Sequence, residues 1–210
     1  MLREGGFLLP EKKYSGHELE WDLLGYGVPR EARYDGRYLN FREAMRLVRE
    51  HQPEGWDPAD PPAHPTSFPN DLHFAVGEEI TQRLAERSDD LSPEVAATLS
   101  EALERHGLQL FNALGSHLDR LHGVDAFFDF TIPVARGAGL AGEKRITITL
   151  DLTQNPEKAE RGAKANAVLY IPSFEDYTAM NPEERTNFMK RQAEGVVSSL
   201  IFELKYSHAA

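Results

Sequence analysis

The 210-residue chain has no cysteine. That excludes disulfides, thiolate chemistry and thiolate-bound zinc together, and leaves carboxylates and the eight histidines as possible metal ligands. Long apolar runs are also missing: the stretch 196–202 contains two serines and falls far short of the roughly 20 residues that a membrane span needs. No membrane partner is expected. The opening residues lack the basic start, apolar centre and small-residue cleavage site of a secretory leader, so the expected address is cytoplasmic. Basic residues are the minority charge, 23 Lys and Arg against 34 Asp and Glu, for a net charge of −11. This is the wrong sign for a general nucleic-acid coat, because non-specific binding is driven by cations that displace counterions from phosphates. An enzyme needs only a local basic track, and residues 136–164 hold six Lys or Arg against four Asp or Glu.

With 40% hydrophobic and 27% charged residues, the chain has the composition of an ordinary globular protein long enough for one sizeable core. Three regions are expected: a small hairpin-and-helix extension over 1–52, a proline-rich linker or arm over 53–70, and a main α/β domain over 71–210. In the extension, Asp35-Gly36 between β-favouring aromatics reads as a two-residue hairpin turn. Asn40 then caps a helix carrying Phe41, Ala44, Met45 and Val48 at helical spacing. Six of the seventeen residues in 53–69 are proline, which is incompatible with a helix or central strand there. Asp71 is expected to cap the next helix, with Leu72, Val76, Ile80 and Leu84 on one face. Ser92-Pro93 starts another, whose leucines 99, 103, 110, 114 and 118 mark a long helix or a pair broken at Gly107 and Gly115. Strands are expected at about 124–132 and 145–153, then a polar segment at 156–163 and a third strand at 167–171. Asn181-Pro182-Glu183-Glu184 opens a last helix.

Period-two alternation places Val124, Ala126, Phe128 and Phe130 on one face of the first strand and Asp125, Phe127 and Asp129 on the other. In the second strand, Ile146, Ile148, Leu150 and Leu152 oppose Thr147, Thr149, Asp151 and Thr153. If the strands pair, Asp125 and Asp151 converge. Aspartate is depleted in strands, and two on facing positions repel unless something positive lies between them. A divalent cation fits that need, since Mg²⁺ is commonly held by one or two carboxylates that leave positions for phosphate oxygens and water. The competing reading is a hairpin with one wet face on which Asp and Thr are solvated.

Gly123-Val124-Asp125, followed after twenty-six residues by Asp151 in Ile148-Thr149-Leu150-Asp151-Leu152-Thr153, resembles the core of the PD-(D/E)XK (restriction-endonuclease-like) nuclease superfamily. A helix precedes these strands and a helical segment and strand follow them, as in that family. The resemblance covers about residues 92–171. It implies a small mixed central sheet flanked by helices and a Mg²⁺- or Mn²⁺-dependent phosphodiester hydrolase acting on DNA. Asp125 and Asp151 would then be metal ligands, with Asp119 or Glu104 of the preceding helix as a further acid. Where the family has lysine, two residues after the second acid, this chain has Thr153, so the lysine would come from Lys158 or Lys164 on flexible stems. Arg136, Lys144, Arg145 and Arg161 would hold backbone phosphates.

Other patterns carry less. Gly137-Ala138-Gly139-Leu140-Ala141-Gly142 fits G-x-G-x-x-G, yet a strand follows it rather than the helix that would receive a pyrophosphate, so a hairpin loop is expected. His122 is retained as a neighbour of the acid pair. The rival function is a non-catalytic protein on a nuclease-like fold that binds protein partners through its acidic surface or proline-rich arm.

Overall fold

The computed structural model describes residues 23–24, 28–52, 67–86, 91–105, 107–136, 140–155 and 164–208. The alternating runs form strands β1 (Leu108–Asn112), β2 (Ala126–Arg136), β3 (Leu140–Thr153) and β4 (Ala167–Tyr170). They lie side by side in that order in one four-stranded sheet. β1 and β3 both run antiparallel to β2, whereas β4 is parallel to β3. The β2/β3 register runs from Ala126↔Leu150 to Arg136↔Leu140, so the glycine-rich motif falls at a strand-to-strand connection whose residues 137–139 lie outside the described ones. Helices α1 (Phe41–His51), α2 (Phe68–Glu86), α3 (Pro93–Arg105), α4 (His117–His122), α5 (Phe174–Ala179) and α6 (Pro182–His208) complete a mixed α/β architecture. Among the described residues, no helix is long and apolar enough to cross a membrane.

Alternation decides what each sheet face meets. Leu110, Ala126, Phe128, Phe130, Ile146, Ile148, Leu150, Leu152 and Leu169 build the main core with Leu72 and Val76 of α2, Leu99 of α3, and Val197, Leu200 and Leu204 of α6. The opposite face carries Phe111 and Phe127, stacked with ring centroids 4.8 Å apart. These two rings form a second cluster with Ala44, Met45 and Val48 of α1 and Leu118 of α4. The described part of the N-terminal extension therefore packs on the sheet. Val124 buries in this second cluster rather than with Ala126, because regular alternation begins only where β2 does.

Local signals set most helix starts. Asn40 and Glu43 form a reciprocal capping box at α1, the Ser92 hydroxyl accepts the Val95 N–H at 3.2 Å, and Asn181 and Glu184 exchange two bonds at 3.0 Å. Three expectations need correction. Residues 108–112, expected as helix, form β1, since pairing with β2 from Leu108↔Phe130 to Asn112↔Ala126 takes up the hydrogen-bonding groups along one edge. No hairpin forms at Asp35-Gly36. The Asp35 carboxylate instead accepts from the Arg37 N–H at 3.1 Å and from His117 Nε2 at 3.0 Å, making a side-chain turn tied to α4. Helix α2 begins at Phe68 rather than after Asp71, with Pro69 tolerated in its first turn.

Asp71 then binds another element. Its Oδ2 accepts hydrogen bonds from Ser67 Oγ and from the hydroxyl of Tyr177 on α5. Burial foremost, and then the adjacent Asp71 carboxylate, push the Tyr177 phenol above its ordinary range. A pKa raised on folding means that the stabilisation is fully present below the unfolded value of about 10 and is lost as pH rises through the folded value. Denaturation series from pH 8 upward should show the wild type losing stability faster than Tyr177→Phe, which at neutral pH should be about 1 kcal/mol less stable. Parallel curves would remove this role.

The second face also buries a charge. Arg49 of α1 donates from Nε and Nη2 to the two oxygens of Asp129 on β2, both at 2.7 Å. Thr147 on β3 donates to the same carboxylate at 2.7 Å, whose side chain is 0% exposed. Arg49→Met removes both short bonds to this carboxylate and leaves it the more distant Arg145, 3.5 Å away, so it should cost about 3 kcal/mol in urea denaturation, the low end for a broken buried pair. Arg49→Met with Asp129→Leu should recover most of that loss. A single-variant cost near zero would show the pair to be dispensable.

Candidate functional site

Gly123, with φ of 68° and ψ of 42°, ends α4 in the left-handed conformation and turns the chain toward β2. Asp125 follows and is fixed on both sides, its N–H donating to the Leu150 carbonyl at 2.9 Å and its carbonyl accepting from the Ala113 N–H at 2.8 Å. Its carboxylate accepts the Leu152 N–H at 2.7 Å. The carboxylate of Asp125 therefore lies at the peptide unit joining Asp151 to Leu152. Both are buried, Asp125 at 5% and Asp151 at 7% exposure.

The Leu152 N–H faces β2 just past the last paired position, Ala126↔Leu150. An acceptor from Asp125 thus replaces a ladder carbonyl that β2 does not reach. The other side of β3 uses the same device. The Thr149 N–H, one residue before the Leu150↔Ala167 pairing with β4, donates to Asn166 Oδ1 at 2.9 Å. Asn166 Oδ1 also accepts from the Thr149 hydroxyl at 2.7 Å. Two polar side chains, each immediately preceding a strand, thereby complete the hydrogen bonding of β3.

Thr153, at the position of the family lysine, is 9% exposed and its hydroxyl accepts the Asn155 N–H at 3.1 Å. Lys164 is exposed, in the bend leading to Asn166. Lys158 and Arg161 lie outside the described residues, as does the side chain of Arg136. Asp119 does not join the acid pair: its Oδ2 accepts the Gly115 N–H at 2.7 Å and braces the turn before α4. Among the described residues, no three His, Asp or Glu side chains gather as a metal-holding group. His122 faces the N-terminal segment, donating from Nε2 to the Leu39 carbonyl at 3.0 Å with its ring edge-on to Phe41. Lys144 and Arg145 are adjacent in β3 and so take opposite faces of the sheet. Arg145 belongs to the face of Asp151.

No family model, curated protein or solved structure matches the chain. The chemistry is therefore read from the arrangement itself. Asp125 and Asp151 are both buried, the Asp125 carboxylate reaches the backbone next to Asp151, and carboxylate oxygens are the hard donors that suit Mg²⁺ or Mn²⁺. The sequence reading missed Arg49, Asp129 and Asn166. Asp129 did give a signal, as an acid between two phenylalanines in a strand needs a buried partner, and Arg49 adjoins Val48 on the apolar side of α1. Asn166 gave none, because its role depends on where β4 starts.

The two functions of Asp125 can be separated. Asp125→Ala leaves the Leu152 N–H without its acceptor and should destabilise the protein by about 1–3 kcal/mol. Asp125→Asn keeps a carbonyl acceptor while removing the charge, so thermal denaturation should place it well above the alanine variant. Equal losses would mean that charge, not the ladder bond, is what the fold requires.

Proposed function

We propose that this chain is a divalent-metal-dependent phosphodiester hydrolase acting on DNA, on a nuclease-like α/β sheet of the PD-(D/E)XK type. The observation that carries this reading is the placement of the Asp125 carboxylate at the Asp151–Leu152 peptide, with both acids more than nine-tenths buried. The antiparallel β1-β2-β3 run followed by a parallel β4 supports it, since the acids then sit at the boundary of the two central strands. Asp125 and Asp151 would hold Mg²⁺ or Mn²⁺, which when bound supplies a Lewis acid and a water of lowered pKa. The bond from Leu152 fixes the orientation of Asp125. Pairing of Asp151 with Val168 of β4 fixes its backbone. Thr153 supplies no cation, so Lys158 or Lys164 would take the part of the motif lysine.

A second reading rests on Thr153 itself. Its hydroxyl closes a turn with Asn155, which favours a non-catalytic protein that keeps the sheet and serves protein partners. Calorimetric titration with Mn²⁺ and a plasmid-nicking assay separate the two. The hydrolase reading expects Mn²⁺ heat and nicking in the wild type, loss of both in Asp151→Asn, and a drop of about 10²-fold in nicking for one of Lys158→Ala and Lys164→Ala. Mn²⁺ heat without nicking would leave the non-catalytic reading. No Mn²⁺ heat at all would dismiss the metal pair.

A further inference from the structure

Away from the acid pair, α1 lines a basic groove. Arg42, Arg46 and Arg49 recur at i, i+4 and i+7, so they share one side of the helix and rise by about 6 and then about 4.5 Å along its axis. Arg145 joins them from β3, and together with Glu50, Gln109 and Phe111 they border a cavity of about 470 Å³. Four guanidinium groups thus face one carboxylate at the rim and Asp129 beneath, in a chain whose net charge is −11.

The four arginines are held to different degrees. Arg49 is clamped by Asp129, with its guanidinium carbon 5.2 Å from the centre of the Phe127 ring. Arg145 is half exposed, its Nε 3.5 Å from the same Asp129. Among the described residues Arg46 pairs with Glu50 alone, both exposed, a contact that water and salt weaken. Arg42 has no ion-pair partner among the described residues. The floor is therefore preorganised and the rim is available to a ligand.

We infer that this groove binds double-stranded nucleic acid through its phosphate backbone. Guanidinium forks match phosphate oxygens in shape and charge. The one aromatic residue of the lining, Phe111, is 2% exposed and stacked on Phe127. It offers no platform for unstacked bases, which single-strand binding uses, and no exposed apolar surface on which a peptide side chain could pack. What the groove presents is guanidinium and amide donors, the chemistry of sequence-independent backbone contact. The inference rests on the hydrolase reading only for what the binding serves, because none of these residues belongs to the acid pair.

The test is fluorescence anisotropy on the full chain in EDTA, across a salt series, with three probes: a short labelled duplex, a single strand of equal length and a polyglutamate peptide. Variants are Arg42→Glu with Arg46→Glu, the corresponding double Lys variant, and Glu50→Gln, each with its melting temperature measured to confirm folding. Duplex binding should fall with salt at a logarithmic slope of about −3. The double Glu variant should bind at least about tenfold more weakly with a shallower slope, the double Lys variant should retain most affinity, and Glu50→Gln should bind more tightly. Absence of duplex binding at low salt, duplex binding unchanged in the folded double Glu variant, or preference for the single strand or the peptide would each overturn the groove. Because EDTA removes metal, Mn²⁺ heat with no duplex binding rejects the groove alone, and duplex binding with no Mn²⁺ heat rejects the acid pair alone.

Discussion

The carboxylate of Asp129 sits inside the sheet's second face with none of its side chain exposed to water. An unpaired charge there would cost several kcal/mol, so the fold has to bring a cation to it. Arg49 answers with a two-pronged contact from α1, and Thr147 fills a further acceptor position from β3. The pair spans eighty residues of sequence, which makes it a long-range constraint on where the N-terminal extension lies. With Arg49 fixed, Ala44, Met45 and Val48 are aligned over Phe111 and Phe127. Capping by Asn40 and Glu43 sets where that helix begins, but capping cannot choose a face. The buried ion pair can, because moving α1 by one residue would rotate Arg49 by about 100° away from Asp129.

A second constraint comes from strands of unequal reach. β3 is flanked by an antiparallel and a parallel neighbour, and these do not cover the same part of it. At each shortfall a side chain just before the neighbouring strand supplies the missing acceptor, Asp125 toward Leu152 and Asn166 toward Thr149. An acid at position 125 therefore has a structural use whether or not it also holds a metal. Motif spacing alone cannot separate the two uses, since both need a carboxylate at the start of one strand beside an acid on the next. Asn and Asp differ in charge but share an acceptor oxygen, and that difference is what distinguishes ladder from ligand.

Features encoded within a few residues were legible in the sequence. Helix starts at Asn40, Ser92 and Asn181 and the alternation of β2 and β3 all follow from local chemistry and period. β1 was not legible as a strand. Leu110, Leu114 and Leu118 happen to lie four apart, imitating a helix face, while the decisive fact is pairing with residues 126–130, which no local window contains. Asp35 shows the same limit. Asp-Gly between aromatics favours a hairpin, but His117, eighty-two residues on, draws the carboxylate into a different turn. Within the candidate site, Asp125 lies just before β2, where Val124 and Ala126 enter different clusters, so its face was not readable, whereas that of Asp151 on the unbroken alternation of β3 was. The diversion of Asp119 to the Gly115 N–H was not, because short turns spend no periodic pattern that a sequence reading could detect.

The second face of the sheet also orders charge along one strand. Going along β3, Arg145 is followed on that face by Thr147, Thr149 and Asp151, a passage from cation to anion over six residues, or about 20 Å at strand rise. A polyanion drawn to the arginine groove at one end would be repelled by the acid pair at the other, and burial of those acids limits screening by salt. A divalent cation held between Asp125 and Asp151 would cancel that repulsion. If both sites operate, metal and nucleic acid must strengthen each other's binding by the same factor, since coupling between two equilibrium binding sites is reciprocal. Such coupling needs no moving part. It follows from two opposite charges fixed at separate levels of one rigid sheet.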